Sequence, residues 1–264
     1  DEGLSFNVNT NETFARYFSQ NHGANLSYSK NNWDLFFTYS YNNSKNRQLD
    51  SSVLTTYADT LWNKTESLHS ILKNNTHNYK LGVTRHFSPR TQLSVQYIGG
   101  TSKDNEGKTN EMSMIPDKGN PTLLNTNVDN REKGKNHHLS TSFNTAFGES
   151  WNLDAYGDYI HKSGDYSRNI QENDESGMSE ISFLQNGKWD IYALHAQLSK
   201  TIKGGRELSV GYDFSHTDGT DKLLYSTDIY NNISHNKETR NSFYVNYSFY
   251  ICSLNYYFFI NFTK

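Results

Sequence analysis

Histidines are the residues of this chain that most suggest metal chemistry, because neutral imidazole is a common metal ligand. The sequence holds 10 of them, and His137 and His138 form the only adjacent pair. Neither an H-x-x-x-H pairing nor an acidic cluster at ligand spacing accompanies that pair. His86, His138 and His195 fall at positions that face the hydrated side of predicted strands, where a neutral side chain simply contacts water. The sequence therefore predicts no metal site.

Paired carboxylates and serines could carry hydrolytic chemistry, but their spacing argues against it. Asp154 and Asp158 are four residues apart, which separates them by about 13 Å in a strand. Paired catalytic carboxylates of glycosidases lie about 5–9.5 Å apart. We interpret this pair, and the pair Asp213 and Asp218, as polar residues of a hydrated face. No serine stands in a G-x-S-x-G elbow, and Gly204-Gly205 opens no phosphate-binding loop. We predict no catalytic residue, no cofactor site and no enzymatic activity.

The composition describes a folded chain with few aliphatic and many aromatic residues. Hydrophobic residues make up 34% of the 264 residues, aromatic residues make up 14%, and the mean hydropathy is −0.85. Disordered chains are poor in aromatic residues, so disorder is excluded. The net charge of −3 gives no electrostatic basis for binding nucleic acid. The single cysteine, Cys252, excludes an intrachain disulfide framework. No apolar run reaches the roughly 18 residues of a membrane helix.

Alternation of apolar and polar residues is the dominant pattern. Trp33, Leu35, Phe37, Tyr39 and Tyr41 share one parity, and the residues of the other parity, 34 to 42, are polar except for Phe36. In a strand these two sets face opposite sides of the sheet. The pattern predicts strands of about 9–11 residues, a length that crosses a membrane when tilted. The clearest are His22–Lys30, Trp33–Asn42, Asn78–Phe87, Gln92–Gly100, His138–Phe147 and Trp151–Ile160. Weaker patterns predict strands at Leu4–Val8, Ile181–Gln185, Leu223–Tyr230 and Cys252–Phe262, and a weak helical periodicity occurs near Ser67–Lys73.

The connections between these strands alternate between short and long. The short ones are Asn31-Asn32, Ser88–Thr91, Gly148–Ser150 and Lys203–Gly205. The long polar ones, which we predict as loops, are Asn43–His77, Thr101–Asn136, Lys162–Lys188 and about Thr217–Thr239. Bacterial outer-membrane barrels have tight periplasmic turns and long extracellular loops. The sequence thus predicts an all-β fold, an antiparallel up-and-down transmembrane β-barrel, with about ten strands of a larger barrel present. A soluble β-sandwich also alternates, but its turns would not leave a long loop at every second connection.

Aromatic residues mark both ends of the predicted strands. Trp33 and Trp151 follow short turns and Phe87 and Phe147 precede them, which places all four at one predicted membrane boundary. The residues predicted to form a girdle at the opposite boundary are Tyr39, Tyr41, Tyr97 and Tyr159.

Two segments resemble a known family. Leu153–Asn169 reads LDAYGDYIHKSGDYSRN, and Leu198–Tyr225 reads LSKTIKGGRELSVGYDFSHTDGTDKLLY. Both are similar to the outer membrane protein β-barrel family, the C-terminal barrel region of TonB-dependent receptors. In that family a short basic and glycine-containing turn precedes an alternating strand that reaches a glycine. Lys203–Arg206 followed by Leu208–Tyr212 has this form, and the likeness extends over about Gly23–Phe249.

The resemblance implies a barrel of about 22 strands that is closed by an N-terminal plug. This chain departs from that pattern, because no plug or energy-coupling segment precedes its strands and about half of the strands are present. Ile251–Lys264 also ends where the family would continue into further strands. We therefore interpret residues 1–264 as an outer-membrane β-barrel segment, with the plug domain absent, from a larger receptor. A complete small pore is the alternative.

The function implied by the resemblance is nutrient uptake at the bacterial cell outer membrane. The expected ligand is a siderophore, cobalamin, a glycan or a peptide, bound at extracellular loops. The expected partners are outer-membrane lipid, the receptor's own N-terminal plug domain and TonB, with no nucleic acid. One alternative is a passive outer-membrane porin or structural barrel protein. Another is a secreted carbohydrate-binding β-sandwich.

The long loops are the candidate recognition surface, since binding residues concentrate on loops. The first carries Arg47, Tyr57 and Trp62, and such aromatic rings with polar neighbours can stack on sugars or chelates. The alternatives are disordered linkers and surfaces that contact no ligand. The residues of the second loop that could form a small folded lid are Met112, Met114, Ile115 and Pro116.

Overall fold

The computed structural model of this chain describes residues 2–57, 61–204, 206–226, 231–251 and 254–263. Its strands are β1 (Gly3–Phe14), β2 (Phe18–Lys30), β3 (Trp33–Tyr57), β4 (Leu61–Ser88), β5 (Thr91–Pro116), β6 (Thr122–Phe147), β7 (Trp151–Asp174), β8 (Gly177–Ile202), β9 (Arg206–Tyr225), β10 (Asn232–Ile251) and β11 (Leu254–Thr263). None of the residues described belongs to a helix of the length and apolarity that crossing a membrane requires.

The strands form one antiparallel sheet in which each strand pairs with the next along the chain. The order runs from β1 to β11, and the described residues of these two strands do not pair with each other. The predicted all-β up-and-down fold is confirmed, with 11 strands where the sequence predicted about ten. The sheet is open, as part of a larger barrel would be. The β-sandwich alternative is wrong, because the described strands all belong to this one sheet and form no second layer.

The predicted short turns are confirmed, and their residues explain why the chain reverses there. Asn31 and Asn32 have φ angles of 51° and 64°. Asparagine tolerates this left-handed region, and two such residues in succession make the tight hairpin turn that matches the twist of paired strands. Gly148 and Gly204 also have positive φ, 61° and 84°. Gly205, predicted to end the fourth short turn, lies outside the described residues.

The four predicted long loops are wrong, because paired strands continue through them. β3 and β4 stay in register from Trp33 opposite Arg85 to Tyr57 opposite Leu61, so most of Asn43–His77 is hairpin. The same holds for the hairpins β5–β6, β7–β8 and β9–β10. Alternation misses these segments because polar side chains occupy both of their faces, while backbone pairing continues regardless of side-chain polarity.

The weaker strand predictions are mostly confirmed, with different bounds. Leu4–Val8 lies within β1 and Ile181–Gln185 within β8. Leu223–Tyr225 ends β9, whereas residues 227–230 lie outside the described residues. Residues 252 and 253 also lie outside them, and residues 254–262 of that predicted strand fall in β11. The helical periodicity near Ser67–Lys73 is misleading, because that segment is part of β4.

The two sides of the sheet differ in polarity. We call the side that carries Trp33, Leu35 and Phe37 the apolar face, and the side that carries Asp34 and Thr38 the polar face, over the whole height of the sheet. The three apolar side chains are 44%, 43% and 41% exposed. Among the described residues, no hydrophobic side chain is buried. The sheet is therefore a single layer whose apolar band is left uncovered by the protein.

The predicted aromatic residues border this apolar band at both ends. Trp33, Phe147 and Trp151 lie on the apolar face beside the short turns, and the rings of Phe147 and Trp151 stack at 6.2 Å. Phe87 lies at a register irregularity of β4, just before the next short turn. Histidines extend the tyrosine row at the other end, as where the Tyr39 hydroxyl lies 2.8 Å from His77 Nδ1. We call this second row the Tyr–His belt: Tyr39, Tyr41, His77, Tyr97, His137, Tyr159, His161 and Tyr192.

Aromatic rings of the polar face pack directly over glycines of the neighbouring strands. Tyr244 lies opposite Gly211 in the β9–β10 pair, and its ring crosses that glycine so that its hydroxyl donates a hydrogen bond of 2.8 Å to Gln197 Oε1 on β8. A Cβ on Gly211 would lie 2.1 Å from the Tyr244 ring. This arrangement requires the absence of a side chain at position 211.

Gly211→Ala is therefore expected to lower the free energy of unfolding by about 1–3 kcal/mol, because the ring must move and its hydrogen bond is lost. Gly107→Ala is the matched control, since a Cβ on Gly107 meets nothing within 4 Å. Urea unfolding of both variants in detergent measures the difference. Equal stability of the two variants would contradict the packing described for Tyr244.

Candidate functional site

The structure divides the predicted recognition residues between the two faces of the sheet. Trp62 lies opposite Pro116, and Met114 lies opposite Lys64, so Trp62, Met112, Met114 and Pro116 share the polar face of β4 and β5. The lid prediction is wrong, because Met112–Pro116 is the end of a strand. Three of the predicted residues lie instead on the apolar-face side: Arg47, Tyr57 and Ile115.

Each of the adjacent histidines faces a different side of the sheet. His137 belongs to the Tyr–His belt, where its Nδ1 is hydrogen-bonded to the Tyr97 hydroxyl. His138 lies on the polar face, with its Nε2 2.7 Å from Asp158 Oδ1. Two successive strand residues cannot ligate one ion from opposite sides. In the part of the chain that the structure describes, no group of three or more His, Cys, Asp or Glu residues could hold a metal ion.

The acidic pairs are separated as well. Asp154 accepts a hydrogen bond of 2.7 Å from Asn144, and Asp158 contacts His138, so each has its own partner on the polar face. Asp213 is hydrogen-bonded to His195 on that face, whereas Asp218 lies on the other side of β9. Neither pair meets at a common point where a substrate bond could sit.

Histidine and carboxylate side chains pair on the half of the polar face that lies nearer the short turns. His86 Nε2 lies 2.7 Å from Asp34 Oδ2, and the imidazole of His195 contacts Asp213. The Tyr156 ring stacks on His195 with centroids 4.3 Å apart. Such pairing satisfies polar groups within one wall of the sheet. We interpret these pairs as structural.

A continuous line of side chains crosses the polar face from β4 to β9, on the half that lies nearer the tips of the long hairpins. Ser70 and Asn130 donate hydrogen bonds of 3.2 and 3.0 Å to the Glu106 carboxylate, and Tyr166 donates one of 3.3 Å to Asn130 Oδ1. Aromatic rings extend the line, since the centroid of the Phe183 ring lies 5.7 Å from that of Tyr166 and 5.5 Å from that of Tyr225. We call this set the polar-face band: Ser70, Glu106, Asn130, Tyr166, Phe183 and Tyr225.

Arg168 supplies a cation within the polar-face band. It lies directly between Asn130 of β6 and Phe183 of β8 in the strand register. Its Nε is buried and has no hydrogen-bond partner in the described residues. A buried donor without a partner is costly, so a group that accepts a hydrogen bond there would be favoured. Aromatic rings beside an arginine suit a planar or anionic ligand.

The hydrogen bonds of the polar-face band also change the ionisation of Glu106. Burial opposes ionisation of this carboxyl, but hydrogen bonds from Lys108, Asn130 and Ser70 outweigh that effect. The pKa of Glu106 is therefore lower than its ordinary value of 4.5. Hydrogen bonds from Asn110 and Lys64 likewise lower the pKa of Glu66 nearby. Both carboxylates are held as anions on the polar face.

The residues of the polar-face band come from segments that the sequence presented as loops. Glu106 and Asn130 lie 24 positions apart in the chain and meet because β5 and β6 pair in register there. The only local signal is that Tyr166 and Arg168 share a parity. No spacing in the sequence announces that Phe183 and Tyr225 face each other, because this depends on the length of the hairpin between them.

Glu106→Gln is expected to remove about 1–2 kcal/mol of stability at neutral pH, since hydrogen bonds to a charged acceptor are lost. The folded-state pKa is the lower one, so the carboxylate stabilises the fold above its unfolded pKa near 4.5, and this contribution is lost as the pH falls through the folded value. Urea unfolding of wild type and Glu106→Gln should therefore show that the difference between their free energies of unfolding decreases from neutral to acidic pH.

Glu111→Gln is the control for this experiment, because Glu111 is exposed on the opposite side of the same strand. A difference between wild type and Glu106→Gln that does not change with pH would refute the stabilising role of the ionised carboxylate.

Comparison with known proteins finds resemblance in fold alone. The chain matches no protein-family model and no curated protein sequence. It resembles the ferric citrate transporter FecA with 10% identity and a TM-score of 0.44, over 97% of this chain and 43% of FecA. It resembles the ferric yersiniabactin uptake receptor FyuA from Yersinia pestis with 11% identity and a TM-score of 0.35, over 93% of this chain and 44% of FyuA. It resembles the outer membrane protease OmpT from Escherichia coli with 8% identity and a TM-score of 0.31, over 100% of this chain and 94% of OmpT. The chain spans less than half the length of FecA or FyuA.

Proposed function

We propose that this chain forms part of the barrel wall of a TonB-dependent receptor that takes up a nutrient across the bacterial outer membrane. The observation that carries the proposal is the uncovered apolar band on a single-layer sheet. A water-soluble sheet buries its apolar face against a second layer. Here the described residues supply no such layer, so lipid is the solvent that fits this face.

The height of the apolar band fits a bilayer. On β3 it runs from Trp33 to Tyr41, which is about 26 Å along the strand at about 3.3 Å per residue. With the usual tilt of about 35–45°, this length spans a height of about 19–22 Å, slightly less than the apolar band of about 25 Å in outer-membrane barrels. Tryptophan and tyrosine at its two ends match the preference of amphipathic rings for the membrane interface.

The polar face fits a hydrated lumen. Its side chains bond to one another across strands, as with Asn42 and Asn74 at 2.9 Å and Thr84 and Ser94 at 2.8 Å. We propose that the polar-face band, with Arg168, contacts the nutrient ligand above the membrane. Siderophores, cobalamin, glycans and peptides remain the ligand classes considered, and the guanidinium of Arg168 favours an anionic one. The role is binding and transport, without catalysis.

The remaining partners follow from the same proposal. Both edges of the sheet, on β1 and β11, are unpaired in the described residues. Free edges bind other strands, and barrels remove them by closing. We propose that further strands complete the wall. A plug domain inside it and TonB on the periplasmic side are the partners that the resemblance implies.

The membrane orientation is tested by spin labels on single cysteines in a Cys252→Ser background. Labels at Leu35 and Leu81, on the apolar face, are expected to be accessible to oxygen, which concentrates in lipid. Labels at Thr38 and Ser40, on the polar face, are expected to be accessible to a water-soluble nickel chelate. Power-saturation measurements in reconstituted vesicles distinguish these environments. Equal nickel accessibility at all four positions would exclude a lipid-facing apolar band.

Ligand binding is tested with a panel of anionic ferric chelates, cobalamin, oligosaccharides and short peptides. Arg168→Gln is expected to weaken binding of the ligand that is found at least about tenfold, since hydrogen bonds to a charged group contribute about 1.5–3 kcal/mol. Arg131→Gln is the matched control, because Arg131 lies on the other side of the neighbouring strand. Isothermal titration measures the affinities.

A ligand whose affinity is unchanged by Arg168→Gln would exclude the polar-face band as its site. Failure to bind any member of the panel, together with steady ion conductance in planar bilayers, would favour the passive porin over the receptor.

A further inference from the structure

A group of lysines lies on the apolar-face side of the sheet, directly beyond the Tyr–His belt. Lys103 of β5 is paired with Lys133 of β6, and Lys45 of β3 is paired with Lys73 of β4. We call the whole group the lysine rows: Lys45, Lys73, Lys103, Lys133, Lys135, Lys188 and Lys222. The chain as a whole has a net charge of −3, so this concentration of positive charge is local.

Asp165 lies opposite Lys133 and the Lys45 ammonium lies 3.8 Å from the Tyr17 ring centroid, but no lysine of the rows forms an ion pair within the described residues. Like charges directly opposite on paired strands are destabilising. The lysine ion pairs that the described residues form involve Lys64, Lys108 and Lys237, all outside the rows. Lys103, Lys133 and Lys135 are exposed. The pairs Lys45/Lys73 and Lys103/Lys133 lie on the same side of adjacent hairpins, so binding of an anion from outside the protein would reduce their repulsion.

The shape of the surface offers a place for such an anion. Lys103, Lys133 and Lys135 line a depression of about 400 Å³. Gly134 and Gly164 are paired at this depression and line it with backbone atoms only, because side chains at those positions would point to the polar face. Its one acidic neighbour, Asp165, already accepts a hydrogen bond of 2.6 Å from Asn186. The depression therefore combines three ammonium groups with open space.

The height of the depression matches the lipid headgroup layer. Along β6 the apolar face carries Leu139 in the apolar band, then His137 in the Tyr–His belt, then Lys135 and Lys133. Each step of two residues advances about 7 Å along the strand. The lysines thus begin about one step beyond the ring of interfacial side chains, where headgroups lie outside the hydrocarbon of a bilayer.

We propose that the lysine rows bind the phosphate groups of phosphorylated lipid headgroups, with Lys103, Lys133 and Lys135 forming the principal site. Lysine binds phosphate as a point charge, and the Tyr–His belt contacts the lipid where its acyl chains begin. The proposal rests on the membrane location proposed above. It adds a specific lipid partner, held outside the lumen and separate from the nutrient ligand.

The test uses the full chain reconstituted in phosphatidylcholine vesicles that contain a small fraction of spin-labelled phosphatidic acid. The immobilised component of the lipid spectrum reports association with the protein. Lys103→Gln/Lys133→Gln is expected to lower the preference for phosphatidic acid over phosphatidylcholine by about tenfold or more, given the contribution of each lysine near a charged surface. Lys80→Gln/Lys162→Gln makes the same change of charge on the polar face and should leave the preference unaltered.

A structural role of these lysines would give a different result. In nonionic detergent the Lys103→Gln/Lys133→Gln variant is expected to be at least as stable as wild type, because a like-charged pair is relieved. Inorganic phosphate should displace the labelled lipid poorly, since it lacks acyl chains to contact the belt. Ready displacement by inorganic phosphate at concentrations similar to that of the lipid would overturn the lipid assignment in favour of a free anion.

The outcomes separate this proposal from the proposed function. If the cysteine labels on the apolar face do not contact lipid, the membrane location fails and both proposals fail with it. If they do contact lipid but both double variants keep the preference, or the protein shows none, the phosphate site alone is overturned. Binding of the lysine rows to an acidic soluble protein instead of phosphatidic acid would likewise overturn it.

Discussion

Backbone pairing between neighbouring strands is the interaction on which this structure depends. The described residues contain no buried hydrophobic side chain, and backbone pairing joins each strand only to the strands beside it. Packing of a core, which stabilises most domains, therefore contributes little within the chain itself. In a bilayer an unpaired backbone group costs several kcal/mol, so the same ladder becomes far harder to open there than in water. The stability of the sheet is set by its surroundings as much as by its own contacts.

A single strand serves two environments because successive residues face opposite sides. His137 and His138 illustrate this, since one joins an interfacial row of tyrosines and the other pairs with Asp158 on the polar face. The same rule separates the lysine rows from the polar-face band, although both lie at similar heights in the hairpins. The lipid contacts and the nutrient contacts proposed above would thus be made by alternate residues of the same strands.

The parts of the fold that the sequence predicts are those in which one face is apolar. Trp33, Leu35 and Phe37 indicate a strand because they alternate onto one apolar face, and Asn31-Asn32 indicates a turn because few other residues accept its backbone angles. Beyond the apolar band both faces are polar, so Asn43–His77 shows no alternation and its sequence is typical of a loop. The polar-face band could not be predicted for a related reason. Glu106 meets Asn130 only through the register of β5 and β6, which is fixed by the length of the paired hairpin.

The tall hairpins restrict how the mouth of such a barrel could shut. A flexible loop can fold over a bound molecule by rotating a few backbone angles, but β3 and β4 remain paired as far as Tyr57 and Leu61. A single hairpin could bend inward only if many of the backbone hydrogen bonds to its neighbouring strands were broken. Occlusion of the opening would have to come from a concerted flexing of several hairpins or from a separate body beneath them. A rim of this kind presents its contacts already in place, and an arriving molecule loses little affinity to ordering it.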